Sequence, residues 1–275
     1  MPNLTIGGSR LYYEVHGEGP TVVLAHGLGG NHAIWYKQIV AFARSYQVIA
    51  FDHRGFGNST DAEGLGRSAF VEDLKALLDH VHIAKPALIG QSMGGGTVVG
   101  FASAYPERVH ALVIADSLHA FIEPEDVKAI MDKARLATAD LPQLDRVLSA
   151  KFRERNPSEA LLYSELNSFN ATDRRSLKGE YAVRTTPEDF AALHIPTLFI
   201  AGMEDVLFPI DAVRTLQERV PGSFLVEVYE AGHSAFFERP SEFNDSVLSF
   251  LAVAGVKGVK PAAHSNVAGY TPIKA

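Results

Sequence analysis

One pentapeptide of this chain, Gly90-Gln91-Ser92-Met93-Gly94, joins a short apolar run, Ala87-Leu88-Ile89, to a stretch of helical spacing that begins at Met93. A strand that turns at once into a helix holds its turn residue in a strained, positive-φ conformation. Glycines two positions to either side leave room for the two backbones to cross. The hydroxyl of Ser92 is thereby held at a sheet edge, at the positive end of a helix. A serine hydroxyl is a weak nucleophile at neutral pH. It needs a base within hydrogen-bond reach, and the base needs an acceptor to orient it. A phosphate-cradling loop would read G-x-x-x-x-G-K-[ST] or G-x-G-x-x-G, and neither pattern occurs here.

Eleven histidines compete for the role of base. His80, His82 and His110 lie beside strand starts or in turns, His16 sits at a turn, and His194 and His264 flank a strand and the tail. His53 and His119 fall in loops at strand ends. His233, in Ala231-Gly232-His233-Ser234, follows the last strand and precedes the last helix. That is the carboxyl edge of the sheet, where open α/β sheets bind ligands. For the acid, Gly202-Met203-Glu204-Asp205 follows another strand; Asp205 leads, with Glu204 beside it and Asp116 at the end of an earlier strand as competitors. The order Ser92, Asp205, His233 matches one of the convergent triad orders. Acyl transfer also develops an oxyanion that backbone N–H groups stabilise. Met93, at the helix start, supplies one donor. Leu28, in His26-Gly27-Leu28-Gly29-Gly30 after an early strand, supplies the other, with His26 holding that loop.

These residues need a scaffold that brings loops together. Apolar runs at 11–15, 21–25, 46–51, 86–89, 109–115, 196–201 and 223–229 read as strands, several of them continuous enough to be buried on both faces. Helical spacing at 32–42, 70–81, 93–104, 209–220 and 235–251 alternates with them. Such alternation predicts an α/β fold, a mostly parallel sheet with helices on both faces. Between 117 and 187 the rhythm breaks into helical stretches, including 125–137 and 158–166, without a buried strand. This is too long for an ordinary connection, so it predicts a small helical cap. The expected organisation is a core over 1–116 and 188–252, a cap over 117–187, and a loosely held tail over 253–275.

Composition limits the function classes. Of 275 residues, 47% are hydrophobic and 21% charged, which is globular rather than disordered. The net charge of −7 lacks the basic footprint of a nucleic-acid binder. The absence of cysteine removes disulfides, thiolate metal sites and a thiol nucleophile. No charged region precedes an apolar run at the start, and no apolar stretch reaches membrane-spanning length, so no secretory signal and no membrane partner are expected. A cytoplasmic location is the expectation.

With its motifs in this order, the chain resembles the α/β-hydrolase superfamily. The resemblance rests on His26-Gly27-Leu28-Gly29, Asp52-His53-Arg54-Gly55-Phe56-Gly57-Asn58-Ser59, Gly90-Gln91-Ser92-Met93-Gly94-Gly95, Gly202-Met203-Glu204-Asp205 and Ala231-Gly232-His233. It implies a Ser92–His233–Asp205 triad, an oxyanion hole at Leu28 and Met93, and a structural turn at 52–59. Haloalkane dehalogenases and epoxide hydrolases of similar layout carry an Asp where this chain has Ser92. The implied function is hydrolysis of carboxylic esters or lactones of a small apolar substrate, with no cofactor and no metal. C–C bond hydrolysis, and a perhydrolase or non-haem haloperoxidase activity, use the same triad and remain alternatives, as does a ligand receptor with little turnover. The expected pocket includes Trp35, Phe56, Leu118, Phe121, Leu207, Phe208 and Phe236. Basic and acidic side chains balance over 118–187, so no ionic substrate is indicated.

Overall fold

The computed structural model describes residues 2–259. Eight strands form one sheet: β1 (Asn3–Ile6), β2 (Ser9–His16), β3 (Thr21–Ala25), β4 (Gln47–Phe51), β5 (Ala87–Gln91), β6 (Ala111–Ala115), β7 (Thr197–Gly202) and β8 (Phe224–Val228). Their spatial order is β1-β2-β4-β3-β5-β6-β7-β8. The pairs β1/β2 and β2/β4 are antiparallel and every other pair is parallel. Strand β1 has no counterpart in the sequence-based expectation. Its residues alternate between exposed and half-buried, too weak a pattern to read, and it is made by the turn at Gly7 and Gly8, both at positive φ.

The central strands are buried on both faces because helices cover both sides. Leu24, Ile89, Val113 and Ile200 pack toward one helical layer, and Val23, Leu88, Leu112 and Phe199 toward the other. The helices of the core are α1 (Tyr36–Phe42), α2 (Phe70–His80) and α3 (Met93–Ala104) before the break in rhythm. The chain between β6 and β7 holds α4 (Glu125–Thr138), α5 (Gln143–Val147), α6 (Ala150–Arg155), α7 (Pro157–Ser168) and α8 (Pro187–Ala191). This helical segment enters and leaves through one neck: Ile122 N–H donates to the Thr185 carbonyl at 2.7 Å, and Thr185 N–H to that of Ala120 at 3.0 Å.

After β7 come α9 (Ile210–Gln217), α10 (Ala235–Glu238) and α11 (Pro240–Val253). The single helix expected over 235–251 is two helices. Pro240 brings no N–H, and Arg239 before it leaves the helical region (φ −127°, ψ 59°). The first residues of the expected tail are docked: Val256 is buried, and Val259 N–H donates to the Ser45 carbonyl at 2.8 Å. The rest of that tail lies outside the described residues. Among the described residues no helix is long and apolar enough to cross a membrane.

Candidate active site

Ser92 occupies the turn between β5 and α3 at φ 50°, ψ −117°. Its N–H donates to the Ala115 carbonyl at 2.9 Å, and its carbonyl accepts the Ser117 hydroxyl at 2.7 Å, so the end of the neighbouring strand β6 holds the strained turn in place. A Cβ on Gly90 would collide with the Gly94 carbonyl, and one on Gly94 with the carbonyls of Ala25 and His26. The spacing of these glycines is thus a steric requirement of the crossing. Gly95 and Gly96 give room to Ser117 and to the Tyr181 ring rather than to the strands.

His233 lies in the loop after β8, and its Nδ1 is 2.9 Å from Asp205 Oδ2. A carboxylate oxygen only accepts, so Nδ1 carries the proton and Nε2 is left as a base. The other Asp205 oxygen accepts the N–H groups of Leu207 (2.7 Å) and Phe208 (3.1 Å). The Phe208 ring stacks on the imidazole at 5.6 Å between centroids. The side chain of Gln91 donates to the His233 carbonyl at 2.8 Å, which ties the histidine loop to the strand that carries Ser92. Ser92 and His233 line one cavity of about 520 Å³.

The competing acids sit elsewhere. Glu204 meets Lys151 at 3.2 Å on the surface. Asp116 is fully buried, but its two oxygens accept Gly202 N–H (2.8 Å) and Ala235 N–H (3.2 Å) and reach no histidine. Burial, with the Asp205 charge adding to it, pushes the Asp116 carboxyl well above its usual range. Glu238 accepts Gly232 N–H at 3.0 Å and Ser149 N–H at 3.1 Å, and burial pushes its pKa up to about 7.

Leu28 and Met93 line the same cavity as Ser92. Gly27 precedes Leu28 closely enough to the elbow that a Cβ there would lie 3.1 Å from Ser92 Cβ, and closer still to the Gln91 side chain. His26 braces this loop: its Nε2 accepts the His53 N–H at 3.0 Å and its Nδ1 faces the Gly27 carbonyl at 2.8 Å. Burial lowers its pKa to about 4, so it is neutral. His53, buried against Thr97 Oγ1 at 2.9 Å, is held well below the ordinary histidine range for the same reason. The 52–59 turn closes on itself, with Asn58 N–H on Asp52 Oδ2 (2.8 Å) and the Ser59 hydroxyl on the Asp52 carbonyl (2.8 Å).

The family profile of the alpha/beta hydrolase fold matches residues 20–194 and 134–240. The chain belongs to the alpha/beta hydrolase family. It is 30% identical to 3-oxoadipate enol-lactonase 2 of Acinetobacter baylyi, over 89% of this chain and 94% of that protein. It is also 30% identical to the pimeloyl-[acyl-carrier protein] methyl ester esterase of Aeromonas salmonicida, over 86% of this chain and 98% of the other. The enol-lactonase structure from Burkholderia xenovorans LB400 superposes with a TM-score of 0.73 at 26% identity, covering 91% of this chain and all of that one.

The expected pocket of this hydrolase needs correction. Leu207 and Phe208 line the cavity, but Trp35, Phe56, Leu118, Phe121 and Phe236 are core residues, each at most 2% exposed. Trp35 packs on Phe236 at 4.5 Å, Phe121 on Phe190 at 5.2 Å, and Phe56 against the Met93 and Leu28 side chains. Large aromatics near strand ends were more useful to the core than to the cavity. The rest of the lining was not part of the expected pocket: apolar Met131, Ala139 and Val147, and polar Arg67, His119, Arg135, Thr138, Gln143, Arg146 and Arg174. Burial, and next the Arg67 charge, lowers the pKa of His119 to about 3, so a neutral imidazole faces the cavity. The charge balance of 118–187 concealed Arg135, Arg146 and Arg174, because only the folded chain decides which charges are paired.

Proposed function

We propose that this hydrolase cleaves carboxylic esters or lactones through an acyl-enzyme on Ser92. The observation that carries the proposal is the shared cavity: a serine on a strained turn and an imidazole whose Nδ1 is occupied by Asp205 both open onto it. In this reading Ser92 Oγ bonds to the substrate carbonyl carbon while its proton passes to His233 Nε2. The Leu28 and Met93 N–H groups hold the oxyanion; one such donor is worth about 3–4 kcal/mol of barrier. The C–O bond then breaks, and the leaving oxygen takes the proton from His233. Water attacks the acyl carbon, gives its proton to His233, and the Ser92 oxygen leaves with that proton. Asp205 keeps the imidazole in the working tautomer throughout.

The relatives support an acyl substrate: one is named for a methyl ester, two for an enol-lactone. The test is turnover of p-nitrophenyl acetate and a panel of lactones by wild type and Ser92→Ala. Loss of turnover in the variant is the expected result, and wild-type rates in Ser92→Ala would overturn the assignment. Running peracid formation and a ring-cleavage C–C substrate beside the esters ranks the alternative reactions on the same groups.

A further inference from the structure

Four arginines line the cavity in front of Ser92, and no Asp or Glu does so among the described residues. The chain as a whole carries a charge of −7, so the sign is reversed locally. The four are not equivalent. Arg135 is already paired with Glu123 and Asp132. Arg67, Arg146 and Arg174 take part in no ion pair among the described residues. Arg174 directs both terminal nitrogens at the Ala139 carbonyl, 3.1 Å each. Arg67 and Arg146 each keep a buried Nε without a hydrogen-bond partner.

Arg146 and Arg174 also face each other electrically: burial, then the charge of Arg174, holds Arg146 below its ordinary range. Arg146 is half-buried and Arg174 exposed, and two neighbouring cations of which one is partly desolvated favour an anion between them. Both also line the adjoining hollow of about 410 Å³, which shares Leu28, Ala139 and Gln143 with the cavity. Two acids line that hollow, Asp140 and Asp173, and neither forms an ion pair with an arginine among the described residues; Asp173 Oδ1 is engaged by the N–H groups of Arg175 and Ser176 and by the Ser176 hydroxyl. A guanidinium fork matches the planar geometry of a carboxylate or the oxygens of a phosphate.

We propose that the substrate carries an anionic group, carboxylate or phosphate, which Arg146 and Arg174 hold while its ester or lactone carbonyl lies over Ser92. The inference rests on the serine-hydrolase reading and replaces the apolar substrate expected from sequence. Arg146 and Arg174 are specificity residues in this scheme, since they act on the non-reacting end.

The test compares the monomethyl half-ester of a four- to six-carbon dicarboxylic acid, its neutral dimethyl ester, and an acetyl ester bearing a phosphate. Wild type should favour an anionic substrate by about 10- to 100-fold in kcat/KM, the worth of a hydrogen bond to a charged group. That preference should shrink as salt is raised. In Arg146→Met and Arg174→Met the ratio should collapse, with KM for the anion rising more than kcat falls. Whichever anion shows the larger ratio names the group. Equal turnover of charged and neutral esters, with ratios unchanged in both variants, would overturn the proposal. Calorimetry of half-ester binding to Ser92→Ala, with and without Arg146→Met, separates the two readings. If no ester is turned over but the half-ester binds and loses affinity in the double variant, the anion site stands and the hydrolase mechanism falls. If it does not bind, the anion site falls.

Discussion

The loops at the strand ends and the helical segment between β6 and β7 face one cavity but are built on different terms. At the strand ends, Ser92, Asp205 and His233 are held by backbone: a strained φ, glycines at a crossing, and N–H groups aimed at a carboxylate. In the helical segment, Arg146 and Arg174 are held by little beyond their own helix or loop and one carbonyl, and they differ from neighbours such as Arg153, paired with Asp145, only in lacking an acid. In the proposed reaction, the groups that tolerate little misplacement are fixed by backbone geometry, and the proposed anion site rests on long side chains that can be changed without disturbing the turn.

The strongest way to break this contrast is Ser92→Ala, expected to lower kcat about 10⁶-fold on charged and neutral esters alike; a loss confined to one class would move the reacting group into the helical segment. Next is the acid. Asp205→Asn should lower kcat about 10⁴-fold. Asp116→Asn, which disturbs two backbone contacts and no histidine, should instead cost about 1–3 kcal/mol of stability in urea unfolding. The reverse ranking in the rate assay would make Asp116 the partner of His233.

A smaller effect separates the two regions by stability. Gly94→Ala puts a Cβ into the Ala25 and His26 carbonyls and should destabilise by about 3 kcal/mol. Leu136→Ala on α4, 81% exposed, should stay within about 0.5 kcal/mol. Comparable thermal shifts for the two would remove the rigid-versus-adaptable distinction.

Glu238 joins the regions, because its two oxygens take the N–H before His233 and the N–H that opens α6. Its pKa is raised to about 7 from 4.5, with burial the main cause. Below the lower value both states are protonated and nothing is lost. Between the two values the unfolded chain ionises while the folded one keeps its proton, so stability falls as pH rises and levels off above 7. The contribution is up to about 3 kcal/mol. Between pH 5 and pH 8 the unfolding free energy of wild type relative to Glu238→Gln should fall by this contribution; an identical pH dependence in the two proteins would contradict the raised pKa.

Much of the scaffold could be read from the chain. Continuous apolar runs such as Ala111–Ala115 have one stable home, a strand covered on both faces. The turns that carry Ser92, Asp205 and His233 were readable because their residues are dictated locally, and the fold brings Asp205 to His233 as the proposed reaction requires. Weak signals failed where tertiary context supplied the reason: β1 exists because β2 is beside it, and α10 separates from α11 at a single proline. The aromatic pocket failed for a different cause. Periodicity shows that Trp35 or Phe236 is buried, not against what, and here each is buried against the other.

The amino-acid sequence alone determined the layered α/β architecture and the strained strand-to-helix turn at Ser92, since both follow from short-range sterics and hydrophobic spacing. Only the tertiary structure decided the electrical character of the cavity. Glu123 and Asp132 satisfy Arg135, yet among the described residues no acid pairs with Arg146 or Arg174, and pairing of charges is a matter of distance in space rather than of number along the chain.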